Sequence, residues 1–73
     1  MDISEIIGVA GVIVGGDCQG WNVRIDDDSA NTGGYLIVAW ESDGSSGFDD
    51  WIESGDALLQ YFEERGWSIR WGK

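Results

Sequence analysis

Tyr35-Leu36-Ile37-Val38-Ala39-Trp40 is an unbroken apolar run between a glycine-bearing stretch, Asn31-Thr32-Gly33-Gly34, and a polar one, Glu41 to Gly47. Its length, its β-branched and aromatic content and its turn-rich flanks predict a strand. Both alternating sets are apolar: Tyr35, Ile37 and Ala39 in one, Leu36, Val38 and Trp40 in the other. A strand of that kind is expected at the centre of a sheet, covered on both faces.

Upstream of this run, Asp26 to Gly34 reads as a loop. Before it, Trp21, Val23 and Ile25 alternate with Asn22, Arg24 and Asp26, which predicts a strand with one buried and one wet face. Gly15-Gly16-Asp17-Cys18-Gln19-Gly20 is a hairpin loop, and the β-branched residues of Val9 to Val14 predict the strand that precedes it. At the start of the chain two readings stay open. Residues 3 to 7 form a helical turn with Asp2 and Glu5 at capping-box spacing, or the whole stretch from Ile3 to Val14 is extended.

Downstream, Glu41 to Gly47 is a loop, and Ser54 is a suitable N-cap for a helix over Gly55 to Arg65, which could also begin earlier, near Asp49. Leu58, Leu59 and Phe62 are its expected inward stripe; Asp56, Gln60, Glu63 and Glu64 its outward one. Gly66 suits the position just past the helix end. Trp67, Ile69 and Trp71 alternate with Ser68 and Arg70 in a closing strand. The expected architecture is therefore a single α+β domain over residues 1–73: a small, mostly antiparallel four-stranded sheet with one main helix packed on one face, in the order β-β-β-α-β. The last strand returns by a right-handed crossover if it lies parallel to its neighbour. One helix covers only one face. The second is left to the N-terminal segment, the Phe48–Ile52 loop, a second copy of the chain, or a partner.

Composition narrows the function. With 73 residues, folding buries roughly 60% of the surface of the extended chain, a marginal core. One cysteine, Cys18, and no histidine leave no internal disulfide, no common zinc site and no histidine-based nucleophilic triad. No cofactor, metal or catalytic residue is assigned, and the chain is not expected to be an enzyme. The acidic loops Asp26-Asp27-Asp28 with Asn31, and Asp43 and Ser45 with Asp49 and Asp50, offer oxygen ligands but miss the spacing of a calcium loop. A net charge of −10, from 14 acids against 4 bases, argues against direct binding of nucleic acid, and the glycines form no phosphate cradle. The longest apolar run, Ile6 to Val14, is about half of what a membrane span requires, and no base precedes it as a signal peptide would need. The expected location is cytoplasmic.

The acids fall into three groups. Asp26, Asp27 and Asp28 share a loop. Asp49, Asp50, Glu53 and Asp56 surround the expected helix start, where the dipole favours them. Glu63 and Glu64 sit at the helix end, where it does not, with Arg65 offsetting part of the cost. Of the five tryptophans, Trp21, Trp67 and Trp71 are core candidates. Trp40 ends the doubly apolar strand. Trp51, beside Asp50, has the composition of a binding hot spot for a basic surface.

The residues Gly34 to Trp40, Phe48-Asp49-Asp50-Trp51-Ile52-Glu53 and Trp67-Ser68-Ile69-Arg70-Trp71 together resemble the small immunity proteins of bacterial polymorphic toxin systems. The resemblance implies a non-enzymatic protein that binds a cognate toxin and blocks its active site or an adjacent surface; many such toxins are basic nucleases. It carries over no individual site residue. The functional expectation is an acidic binding module that inhibits a basic protein partner, with Asp49, Asp50, Trp51, Asp56, Gln60, Glu63 and Glu64 as its partner-binding surface. Two rivals stand beside it: a phage-type mimic of nucleic acid that occupies a DNA-binding effector, and a homo-oligomeric structural module, in which a homodimer buries the second sheet face.

Overall fold

The computed structural model describes residues 5–72. Five strands and one helix follow in the order β1 (Ala10–Gly15), β2 (Asn22–Asp28), β3 (Gly34–Trp40), β4 (Gly47–Ile52), α1 (Gly55–Arg65) and β5 (Ser68–Trp71). They build an α+β fold with one sheet, ordered β4-β3-β2-β1-β5, in which every strand pairing is antiparallel. The sheet has five strands where four were expected. The additional one is Gly47–Ile52, which pairs with β3 from Trp40↔Gly47 to Tyr35↔Ile52. The expected loop and early helix start near Asp49 are replaced by an edge strand. Its Phe48 and Ile52 pack against the core, which fixes the register of an otherwise polar segment.

β3 lies between β2 and β4, as its composition predicts. β2 runs two residues further than expected, to Asp28. β5 pairs antiparallel with β1, so the conditional parallel crossover between neighbours does not arise. β4 and β5 nevertheless run in the same direction at opposite edges, and α1 crosses the sheet between them.

The core lies between α1 and one sheet face. Ile13, Val23, Ile25, Ile37 and Leu58 are fully buried, each contributing about 1.5–3 kcal/mol relative to exposure. Trp67 is buried with them, and Trp21 and Trp71 are half-buried against the same cluster, as expected. Trp67 collects its neighbours: Phe62 stacks at 6.1 Å, Tyr61 meets it edge-on at 5.6 Å and Phe48 lies 6.4 Å away. Leu59 departs from the expected inward stripe and is exposed. The helix meets the sheet through Leu58, Tyr61, Phe62 and Arg65, a stripe that leaves Leu59 at its border.

Both helix ends are closed by local chemistry. Ser54 Oγ accepts the Ala57 amide at 3.1 Å. Gly66 turns left-handed at φ 66; its amide donates to the Glu63 carbonyl and the Trp67 amide to the Phe62 carbonyl. This is a Schellman end, with the Phe62–Trp67 stack as its hydrophobic clasp. The β1–β2 loop then packs on that end: Asp17 donates its amide to the Arg65 carbonyl at 3.4 Å. Gly16, at φ +89, sits so close that a Cβ would overlap the Gly66 carbonyl.

The helical turn expected over residues 3–7, and its Asp2–Glu5 cap, lie partly outside the described residues. From Ile6 the chain turns at Gly8, whose amide donates to the Ile25 carbonyl at 2.7 Å, and Ile7 forms a parallel bridge with Ile25. Ile7 packs against the helix-side core, and β4 lies within the sheet. Neither segment covers the second face, which no described element shields.

Candidate functional site

The uncovered face carries the outward residues of every strand. Cross-strand register places Asp26, Leu36 and Trp51 in one row, Arg24, Val38 and Asp49 in the next, and Arg70, Val12, Asn22 and Trp40 in a third. Leu36, Val38 and Trp40 are half-buried by mutual shielding on the inner strands. Val12 and Val14 are exposed, and Trp51 is 50% exposed at the β4 edge.

Trp51 is exposed and yet held in place. Its Nε1 donates to Thr32 Oγ1 at 2.8 Å. The Thr32 hydroxyl lies 2.9 Å from Asp28 Oδ2, and Asn31 Nδ2 donates to Asp28 Oδ1 at 3.2 Å. The carboxylate of Asp28 thus orients the threonine, and the threonine orients the indole. Gly34 makes room for this arrangement, since a Cβ there would overlap the Ile52 carbonyl and come within 2.8 Å of the Trp51 ring. Fixing a large ring before binding removes ordering entropy from the association step.

Charged residues share the face on which the ring lies. Asp26 stands two strands away in the same row and Asp49 two residues back along β4. Arg24 binds Asp26 through two bonds of 2.9 and 3.0 Å, and the Asp26 hydrogen bond, then its charge, raise the guanidinium pKa. In the adjoining loop the Ser29 hydroxyl, then its amide, hold Asp27 below the ordinary carboxylate range. Asp43 is held low in the same way, first by the Ser45 amide and then by its hydroxyl. Both acids are engaged in closing the turns beside them. Among the described residues no three His, Cys, Asp or Glu groups converge to hold a metal ion.

The seven residues predicted from the sequence fall into three places. Asp49 and Trp51 lie on the uncovered face. Asp56, Gln60, Glu63 and Glu64 are exposed on α1, on the other side of the sheet; Gln60 Nε2 donates to Glu64 Oε1 at 3.3 Å. Asp50, between Asp49 and Trp51, points to the helix side. Its Oδ2 accepts the Tyr61 hydroxyl at 2.7 Å and lies 3.8 Å from Arg65. Burial first, and then this bond to Asp50, push the Tyr61 hydroxyl pKa well above that of a free tyrosine. Asp50 therefore joins β4 to α1. The dipole account of the acids also narrows, because Asp56 is the acid in the first helical turn; Asp49 and Asp50 are strand residues.

Sequence reasoning left out of the site Asp26, Asp28, Thr32 and Leu36. The alternation of Trp21 to Asp26 points Asp26 outward, but only the β2–β3–β4 register brings it to Trp51.

Among the described residues no helix is long and apolar enough to cross a membrane. No family model, no curated protein and no solved structure matches the chain.

Proposed function

We propose that this chain is an acidic binding module that inhibits a basic protein, in the manner of an immunity protein neutralising a toxin, and that it anchors its partner through Trp51. The observation that carries the reading is the half-exposed Trp51 ring, fixed by Thr32 and Asp28, with Leu36 beside it and Asp49 two residues back on the same face; Asp26, further along the row, is already paired with Arg24. A rigid aromatic with acids on the same face matches the anatomy of a hot spot for a cationic surface. The net charge of −10 accelerates encounter with a basic partner and makes it sensitive to salt. The helix acids Asp56, Glu63 and Glu64 contribute to that field from the far side of the sheet. Division of the acids between the two sides argues against the two-row stripe on one long face that mimicry of a nucleic acid requires.

The test is capture from lysate of the source cell with immobilised wild type, Trp51→Ala and Thr32→Val, followed by an activity assay of the captured protein. The reading expects a basic protein that is released by 0.5 M salt, is lost with Trp51→Ala, is weakened by Thr32→Val and is inhibited on binding. A captured protein held equally by Trp51→Ala overturns the surface; a captured protein whose activity is unaffected overturns the inhibitory role.

A second reading is favoured by one observation. The uncovered face carries Arg24 and Arg70 together with Asp26 and Asp49 among its apolar residues, so two copies could pair across it isologously. Sedimentation at micromolar concentration separates the readings: a monomer removes this one.

A further inference from the structure

A groove of about 280 Å³ runs between α1 and β5 on the helix side of the sheet, lined by Leu59, Phe62, Glu63, Trp67, Ile69 and Trp71. It is remote from Trp51, which lies at the other edge and on the other face. β5 is a sheet edge. Its backbone alternates: the Gly72 amide donates inward to the Ala10 carbonyl, so the amides and carbonyls of Ile69 and Trp71 point away from β1, to the open edge. The same two residues direct their side chains to the groove. Strand groups without a strand partner among the described residues and an apolar groove thus meet along one line, with a carboxylate, Glu63, at the border.

We infer that β5 accepts an extended segment of a protein partner as a sixth strand. The segment places apolar side chains in the groove and, at a further position of the same alternate set, a lysine or arginine beside Glu63, since only that set faces the helix side. Strand addition of this kind obtains affinity from main-chain hydrogen bonds and specificity from the pocket that receives every second side chain. Charge selects the occupant. At this groove, where Glu63 is the one charged lining residue, a second copy brings its own excess of acids and pairing of two four-residue strands buries little; a basic segment is attracted. The inference is independent of the Trp51 surface and would survive its failure.

The probe is a capped hexapeptide with valine, phenylalanine and lysine at its three alternate, groove-facing positions and threonine between them. Its controls are a glutamate version, a scrambled version of equal charge and a version N-methylated along its pairing edge. Binding is read by amide chemical shifts and hydrogen exchange of the full chain. The inference expects slowed exchange at the Ile69 and Trp71 amides, shifts at Leu59 and the Trp71 indole, and about tenfold weaker binding of the N-methylated and scrambled peptides. It also expects Glu63→Lys, at an exposed helix site, to weaken the lysine peptide by about fivefold or more. Equal binding of scrambled or N-methylated peptide, shifts centred on Trp51, no binding at millimolar peptide, or peptide-free self-association at the β5 edge would each overturn it.

Discussion

Replacing Arg65 with methionine tests what joins the helix to the β4 edge. The Arg65 guanidinium carbon lies 5.0 Å from the Phe48 ring centre, 4.8 Å from Tyr61 and 5.5 Å from Trp67. The side chain is 32% exposed, and its Nη2 is 3.8 Å from Asp50. A cation over an aromatic face contributes about 0.5–1 kcal/mol when exposed and up to about 2 when desolvated. One guanidinium cannot face three rings ideally, so the three contacts together are worth about 1–2 kcal/mol. The ion pair adds at most ~1 kcal/mol at this distance and exposure, and the helix C-terminus about 0.3–1. Methionine keeps the apolar stem between the rings, so the loss isolates the charge: about 2 kcal/mol, or roughly 8–16 °C in Tm for a domain this small. Urea and thermal melts followed by circular dichroism, in 0.1 M and 1 M NaCl, read it out. High salt screens the half-exposed ion pair but not the ring contacts, so most of the loss persists in 1 M NaCl. A variant within about 0.5 kcal/mol of wild type, below the weakest cation–ring contribution, or a loss that vanishes in high salt, refutes this account.

Two further outcomes follow from the same region. Gly16→Ala combines a positive φ with overlap onto the helix end, and should cost about 3 kcal/mol or more by urea denaturation; a loss under ~1 kcal/mol, that of αL strain alone, would mean the loop moves freely off the helix. Tyr61 has a raised folded pKa, so it favours the native state fully below the unfolded value of about 10 and loses that advantage as pH rises above it. Stability measured from pH 8 to 11.5 should fall more steeply in wild type than in Tyr61→Phe, and parallel curves would refute the assignment.

Much of the fold was legible because local signals agreed. β3 was readable from its length and apolarity, β2 from alternation, and α1 from Ser54 and Gly66, which cap it as their chemistry predicts. β4 was not. Two aspartates in Gly47-Phe48-Asp49-Asp50-Trp51-Ile52 oppose a strand by propensity, and the inward one, Asp50, is tolerated because Tyr61 and Arg65 reach it from the helix. That compensation is tertiary and absent from the local pattern. The site was half legible for the same reason. Trp51 was identified from its neighbours in sequence, but its partners Asp28, at the end of β2, and Thr32, in the turn after it, lie nineteen or more residues earlier. Arg65, read as a counter-charge for Glu63 and Glu64, turns instead into a cage of three rings.

The pairing of β1 with β5 has a kinetic consequence. β1 to β4 form a meander of short-range hairpins, whereas Gly11↔Trp71 joins opposite ends of the described chain. Hairpins close in about 1–10 μs, but this seam must wait for α1 to bring β5 across the sheet, with the entropy of the whole intervening chain against it. The topology thus predicts that this seam forms last and breaks first. In a chevron plot, substitutions at Ile69 should therefore steepen escape from the native state while leaving the refolding limb nearly unchanged, which makes four residues at one edge the latch that sets the lifetime of the folded protein.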